Sequence, residues 1–454
     1  FVMAARDAAW EALRDEFALP PASMENLRQL FLTEARAGLA GSDSSLRMLP
    51  TYLTRRVTGE ETGEYFALDL GGTHFRVLQL RLEGGGRIGP VRQRQFKVPD
   101  AAKRGSGAEL FGFLADCVSA FVAAECGGEA AGDIGFTFSF PAAQTAIDAG
   151  TLVAWNKGFA AADAIGADVV ALLQAQLEAR GLKMRVTALA NDTVGTMAAA
   201  AYSCPGTAMG VIFGTGTNAA YVEQAAKIGK GRGVEDGSRE TEMAINTEWG
   251  NLDTAAVRNE HDAAVDAASE NPGLQRFEKM VSGMYLGELL RTALAAPAVR
   301  AGFSRTCAAG FDAAFSERFS LHTSTLAAIE ADATPDLAEV AHLLAEAGVQ
   351  GTLADRSLLR DACAAVSTRA ALLAAVGIAS LLELAQSEPG PATVAVDGTV
   401  FERYPGFQAR MEGGLEMLLG PERARDVSLV LTKDGSGVGA AIIAAAAAQA
   451  RGET

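Results

Sequence analysis

Twice in this chain an alternating strand runs into a turn of glycine and threonine and doubles back as a second strand. The first unit is Glu64–Leu70, then Gly71, Gly72 and Thr73, then Phe75–Leu82, with Val91–Val98 as a third strand. The second is Met209–Phe213, then Gly214, Thr215, Gly216 and Thr217, then Asn218–Glu223. After a polar, glycine-rich loop at Gly229–Gly237 it ends in Met243–Thr247. Period-two alternation bounded by glycine turns spells a meander of antiparallel strands. The two units agree in pattern more than in letters, so the chain reads as two related halves. Further strands are expected at Ile134–Phe140, ending at Pro141, and at Met184–Ala190, Thr393–Val396 and Val427–Thr432. Helical spacing marks Ala108–Ala124, Ala164–Arg180, a small-residue helix from Asn191–Asp192–Thr193, most of 271–386, and a terminal alanine-rich helix. The first ~50 residues are helical, with Trp10, Leu13 and Phe17, then Leu27, Leu30 and Phe31, on either side of Pro20–Pro21. Strands alternating with helices give an α/β protein of two lobes with a cleft between them.

Bulk chemistry narrows what the cleft can bind. Lys and Arg total 39 against 55 Asp and Glu, a net charge of −16. That balance argues against nucleic acid, whose binding needs broad phosphate neutralisation; a small anion needs only a few local donors. The 5 cysteines have no CxxC pair and the 4 histidines no HExxH spacing, so neither a disulfide scaffold nor a zinc site is expected. The longest uncharged runs, Ala370–Leu382 and Gly435–Ala450, fall short of the ~20 residues of a membrane span. Phe1–Leu19 carries too many charges for a signal peptide. The chain starts without Met, which suggests a trimmed N-terminus, and a cytoplasmic setting is the expectation, with an organelle as the alternative. Composition leaves the oligomeric state open.

Glycine turns at strand ends let the backbone approach a phosphate, with exposed N–H groups and a threonine hydroxyl as donors. Each turn alone is also what a tight hairpin needs; several together favour a nucleotide. There is no GxxxxGK[ST], which excludes a P-loop. Gly435–Ala440 satisfies GxGxxA, but the fourteen residues after it leave no room for the strand that carries a ribose-binding acid. Asp192 at a helix start is open to two readings, a helix cap or a general base at a strand's carboxyl end. Ser139 reads as a satisfied hydroxyl or a ligand. Glu248, beside Trp249, and Glu278, after Asn271–Pro272–Gly273, read as surface acids or ligands. Lys157, between Trp155 and Phe159, reads as a partly enclosed cation.

The longer strings are more specific. Leu68–Val77 (LDLGGTHFRV) resembles the first phosphate motif of hexokinases, and Gly135–Phe159 (GFTFSFPAAQTAIDAGTLVAWNKGF) their sugar-binding signature. Ala190–Met197 (ANDTVGTM) resembles the catalytic-base segment and Ile212–Ala219 (IFGTGTNA) the second phosphate motif. Asn246–Gly250, Asn271–Gly287, Val366–Ala371, Val394–Thr399 and Asp434–Ala441 follow in family order. The resemblance runs from about Phe17 to the C-terminus as one hexokinase unit.

It implies two ribonuclease-H-like lobes of the actin and hexokinase type, a small one of residues 53–191 plus 436–454 and a large one of 1–52 plus 192–435. It also implies ATP-dependent phosphorylation of a hexose, glucose first, at the 6-hydroxyl, as the entry step of glycolysis. Asp192 is then the base that takes the hydroxyl proton. Lys157 reaches the transferring phosphoryl group and, with Ser139, Asn156, Asn191, Asn218, Glu248 and Glu278, surrounds the sugar. Gly71, Gly72, Thr73 and Arg76, with Gly214, Thr215 and Gly216, hold the phosphates of ATP. Asp69 orients Mg²⁺ through water, with no direct metal ligand, and the Gly435–Ser436–Gly437 turn meets the adenosine. Asp192 is expected to keep an ordinary carboxylate pKa near 4. Three positions depart from the family: Asn156 where threonine is usual, His74 where asparagine is usual, and Met284 where some relatives carry lysine. They bear on affinity and selectivity. Two other readings stand beside the kinase: a sugar sensor without turnover, and an actin- or chaperone-type ATPase, against which the sugar residues argue.

Overall fold

The computed structural model describes residues 2–155, 157–230, 242–385 and 390–452. Its strands are β1 (Leu49–Pro50), β2 (Thr62–Leu70), β3 (His74–Gly84), β4 (Arg87–Lys97), β5 (Ala131–Phe138), β6 (Ala142–Ala146), β7 (Ala149–Leu152) and β8 (Lys183–Ala190). They continue as β9 (Thr207–Phe213), β10 (Thr217–Gln224), β11 (Glu242–Asn246), β12 (Ala392–Asp397) and β13 (Val427–Leu431).

Two sheets share one construction. In the first, of order β4-β3-β2-β5-β8, an antiparallel meander is extended by β5 and β8, which run parallel to β2. In the second, of order β1-β11-β10-β9-β12-β13, the meander β9–β11 is extended by β12 and β13, parallel to β9. The short β1 completes its far edge. The repeat legible in the sequence is thus a repeat of topology, as two ribonuclease-H-like lobes require.

Helices cover these sheets because parallel strands leave both faces apolar. β2 shows it: after three exposed residues, Tyr65–Leu70 are buried without a break. Helix Gly107–Glu125 begins with a capping box in which Ser106 accepts from the Glu109 N–H and Glu109 answers to the Ser106 N–H. It packs Leu110, Leu114, Val118 and Phe121 into the first core. Helix Leu353–Ala385 runs through the second core. By length and composition both could cross a membrane, contrary to the expectation drawn from uncharged runs. In the fold, 56% and 83% of their apolar windows are buried against other elements.

Three boundaries differ from the sequence reading. Strand β5 stops at Phe138, and the segment after Pro141 forms the β6–β7 hairpin, which the sequence reading had not placed. The helix expected from Ala164 starts at Val169, because Asp168 accepts the Val170 and Ala171 N–H groups and caps it there. Residues Gly435, Ser436 and Gly437 are not an open turn but the buried first turn of helix Gly435–Arg451. That helix packs on β2, β5 and β8 and along helix Asp192–Ser203, so the C-terminus returns to the first sheet.

Adjacent parallel strands β2, β5 and β8 end in register, with Leu70 opposite Phe138 and Thr137 opposite Ala190. The residues that follow, Gly71, Ser139 and Asn191, therefore stand side by side at the carboxyl edge. In the second sheet β9 and β12 end likewise, and Gly214 and Gly398 follow. Carboxyl edges of parallel strands are where α/β proteins place ligands.

Candidate functional site

Helix Asp192–Ser203 starts directly where β8 ends, and its cap is Asn191. The Asn191 Oδ1 accepts the Thr193 N–H at 2.9 Å and the Thr193 hydroxyl at 2.6 Å. This settles one alternative: Asp192 is not the cap but the first helical residue, with Oδ1 also taking the Thr193 N–H at 2.9 Å. Its surroundings overturn the expectation of an ordinary pKa. Burial raises the Asp192 carboxyl, and the nearby Asp69 charge adds to the rise; the Lys157 ammonium, the Thr193 N–H and the Ser139 hydroxyl oppose it. A base with a raised pKa takes a proton more readily than a free aspartate.

Ser139 is buried, its N–H on the Leu70 carbonyl at 3.4 Å and its own carbonyl accepting the Lys157 ammonium at 2.8 Å. Lys157 has a left-handed backbone, φ 54°. The Phe140 ring lies 5.4 Å beneath its Nζ, within a cluster of Phe138, Phe140, Trp155 and Phe159. The residue as a whole is exposed, but its ammonium is partly enclosed by the Ser139 carbonyl and the Phe140 ring, as its aromatic neighbours suggested. Asn156 lies outside the described residues, as does most of the 229–237 loop.

Facing these groups is a chain of amides and acids. The Asn218 Nδ2 donates to the Asn246 Oδ1 at 2.8 Å and more weakly to the Asn191 Oδ1 at 3.4 Å. The Asn246 Nδ2 donates to the Glu248 Oε1 at 2.9 Å. Asn246 was missed as a site residue, although it opens the very segment that carries Glu248; its buried position on β11 is the signal that sequence could not supply. Glu248 also sits in the left-handed region, φ 52°. Its carboxyl is raised by burial and by the Asp192 charge, against the Asn246 bond. Glu278, on the short helix Arg276–Val281, accepts the Thr217 N–H at 3.0 Å. Burial pushes Glu278 up to about 7, with Glu248 adding to the rise and the Thr217 N–H and Lys157 opposing it. Three carboxyl groups, of Asp192, Glu248 and Glu278, therefore lie within electrostatic reach of the Lys157 ammonium, an arrangement rich in acceptors for hydroxyl groups.

The two glycine turns border this cluster. A Cβ on Gly72 would lie 3.1 Å from the Lys157 Cβ, and one on Gly216 only 2.5 Å from the Glu278 Oε2. A side chain at either position would have to displace the Lys157 or Glu278 side chain that packs against the turn. Thr73 and Thr215 are exposed at the two tips, while Gly71, Gly72, Gly214 and Gly216 are half-buried. Gly214 is tied by its N–H to the Gly216 carbonyl at 3.0 Å and by its carbonyl to the Gly283 N–H at 2.8 Å. Trp249 donates its indole N–H to the Thr217 hydroxyl at 3.1 Å.

Behind the first turn, the Asp69 Oδ2 accepts the Arg76 Nε and the Ser436 hydroxyl, each at 3.0 Å. No hydrogen bond among the described residues engages the Asp69 Oδ1, which is the oxygen a metal-bound water could use. Arg76 also donates to Asp434 at 2.7 Å and to the Ser436 hydroxyl at 3.0 Å. Ser436 thus contacts Asp69 and Arg76 from within the fold, and Gly435 and Gly437 are buried beside it. Asp397, at the end of β12, is raised by burial and by the Asp434 charge while Arg76 opposes. Charge-bearing groups, backbone donors and space held by glycine fit a polyphosphate with its cation. The residues that could hold it are Gly71–Thr73, Arg76 and Gly214–Gly216, with Asp69 toward the cation's water shell.

Residues 9–202 match one hexokinase family model and residues 208–446 a second. The chain is 43% identical to Hexokinase-1 of Oryza sativa subsp. japonica, over 98% of this chain and 92% of that protein. It is 40% identical to Hexokinase-1 of Spinacia oleracea, over 97% of this chain and 91% of that protein. Among solved structures it superposes on the hexokinase from Schistosoma mansoni complexed with glucose, with a TM-score of 0.84, 37% identity, and coverage of 98% and 99% of the two chains.

Proposed function

The chain belongs to the hexokinase family and is an ATP-dependent hexose kinase; within that activity we propose that it phosphorylates glucose at the 6-hydroxyl, feeding glycolysis. The observation that carries the reading is the meeting of Ser139 and Lys157, which follow the first sheet's β5, with Asp192, the Asn218–Asn246–Glu248 chain and Glu278. In this reading Ser139, Asn156, Asn191, Asn218, Glu248 and Glu278 bind sugar hydroxyls, and Asp192 accepts the proton of the reacting one. The freed oxygen bonds to the γ-phosphorus while the bond to the β-phosphate oxygen breaks, and ADP leaves. Lys157 balances charge on the transferred group. The turn N–H groups at Gly71–Thr73 and Gly214–Gly216, with Arg76, fix the phosphates. Positioning and charge stabilisation are most of what phosphoryl transfer asks of a protein. Mg²⁺, when bound, screens the phosphate charge, with Asp69 orienting it through water.

We assign residues 53–191 with 436–454 to one lobe and 1–52 with 192–435 to the other, closing on the sugar between them. Closure excludes the water that would otherwise take the phosphoryl group. A coupled assay of ADP release with ATP over glucose, mannose, fructose and galactose tests the reading. Release dependent on glucose supports it. Glucose binding without ADP release would move the chain to a sensor role, and release without any sugar to an ATPase.

A further inference from the structure

The short helix that carries Glu278 is anchored in the core on its inner face by Phe277, Met280 and Val281, but its start has little of its own to hold it. It has six residues, Arg276–Val281, far fewer than a helix needs to persist alone. No side chain caps its N-terminus, and the chain enters it through Gln275 at φ 50°. A left-handed backbone is unfavourable for a residue other than glycine. The loop before it, Ser269–Leu274, is mostly exposed around Pro272–Leu274. Yet a carboxylate that reads sugar hydroxyls must be held to a fraction of an ångström.

One side chain ties the helix start to that loop. Lys279, 2% exposed, points its ammonium back along the helix into that loop. Nζ lies 2.7 Å from the Asp266 Oδ1, 2.8 Å from the Ser269 Oγ, 2.9 Å from the Asn271 carbonyl and 2.9 Å from the Leu274 carbonyl. Four acceptors for three N–H groups leave no donor spare. Asp266 in turn accepts the Gly273 N–H on both oxygens, at 3.0 and 3.1 Å. Its carboxyl, which burial alone would raise, is held below the ordinary range by Lys279, Gly273 and Arg276. The far end of the segment is fixed as well, since Gly283 N–H and Met284 N–H bond to the carbonyls of Gly214 and Thr215.

We propose that Lys279 is the positioning residue of the sugar site: its buried ammonium clamps the Ser269–Leu274 loop onto the helix start and thereby places Glu278. The inference rests on the reading of Glu278 as a hexose ligand. Lys279 does not touch substrate; it acts through the backbone that bears Glu278. The Asp266 pair, the two loop carbonyls and the Ser269 hydroxyl form one unit, and loss of the ammonium frees the loop while leaving the bonds around Asp192 and Ser139 intact.

Isothermal titration with glucose, or with whichever hexose the wild type phosphorylates, tests this alongside steady-state kinetics. The Lys279→Met variant keeps the stem and removes the charge. The expected result is at least a tenfold weaker hexose Kd and a matching rise in hexose KM, with kcat changed less than threefold. Ser269→Ala, which removes one acceptor of the ammonium at 2.8 Å together with the hydroxyl's own bond to the Asp266 carbonyl at 2.7 Å, is expected to weaken hexose binding two- to fourfold with an unchanged melting temperature. Hexose Kd values within 1.5-fold of wild type in Ser269→Ala, or within twofold in a folded Lys279→Met, overturn the proposal, even if stability falls. Glu278→Gln is the control: if it too leaves hexose Kd unchanged, the ligand role of Glu278 fails instead.

Discussion

The Glu278 Oε2 accepts the backbone N–H of Thr217 at 3.0 Å, so the acid proposed to bind the sugar is bonded directly to the end of the turn proposed to hold phosphate. The carboxylate also fills the space that a side chain at Gly216 would need, 2.5 Å from its Cβ position. Any shift of the acid on binding a hexose is therefore transmitted to the turn, and Glu278 is the natural place to perturb the site.

Glu278→Gln should stabilise the unliganded protein at pH 8 while weakening hexose binding. With Glu278 up at about 7 in the fold against 4.5 when free, the folded state holds the extra proton between those values. Its contribution to stability is full below the free value and is lost as pH rises through about 7. Melting curves of the two proteins should cross, the variant being higher at pH 8 and no higher at pH 5. Hexose affinity in the wild type should rise from pH 6 to pH 8, because an ionised acceptor makes the stronger hydrogen bond, and the variant should lose this dependence. A pH-independent wild-type Kd would count against it.

Asp192→Ala should lower kcat by ~10²–10⁴, the usual contribution of a general base, with hexose still binding measurably by calorimetry. In the wild type the acid limb of kcat/KM should lie above the range of a free aspartate, because burial raises Asp192. Retention of more than about a tenth of kcat would remove it from that role.

Asn246→Ala breaks the bonds that orient Asn218 and Glu248, at 2.8 and 2.9 Å. Two hydrogen bonds at roughly 0.5–1.5 kcal/mol each predict a five- to hundredfold loss in kcat/KM. The loss should appear mainly in the hexose KM, since both partners are proposed to bind the sugar. A loss confined to the ATP KM would place Asn246 elsewhere.

Gly216→Ala drives a methyl group into the Glu278 carboxylate and should raise the KM for both substrates, since the turn and the acid share that space. Gly413→Ala, on a helix with nothing within 4 Å, serves as the neutral comparison. Unchanged kinetics in Gly216→Ala would show that the acid yields freely.

Asn156→Ala should cost about two- to tenfold in kcat/KM, the worth of one net hydrogen bond at roughly 0.5–1.5 kcal/mol. Asn156→Thr should be milder, because it restores a donor and an acceptor. An unaltered preference between glucose and its 4-epimer, together with a lowered melting temperature, would reduce Asn156 to a support of the Lys157 loop.

Much of the fold was legible because strand faces are written locally. Period-two runs bounded by glycine, at Glu64–Leu82 and Met209–Glu223, identify two meanders without reference to anything distant. The strings around Gly71, Asp192 and Gly214 place candidate ligands at strand ends for the same reason. Local pattern does not name a partner, however. That β12 joins β9 across nearly two hundred residues, and that helix Gly435–Arg451 lies against β2 to bring Ser436 to Asp69, follows from which apolar faces bury one another. Asn191 taking the cap from Asp192 was decided by where β8 stops and how the backbone leaves it. The raised Asp192, Glu248 and Glu278 carboxyls have no local signature at all, since desolvation depends on what remote segments pack around a group. Residue types and spacing determined which chemistry this chain could carry. The tertiary structure alone decided how strongly each acid holds its proton, and which buried amide and ammonium keep it in place.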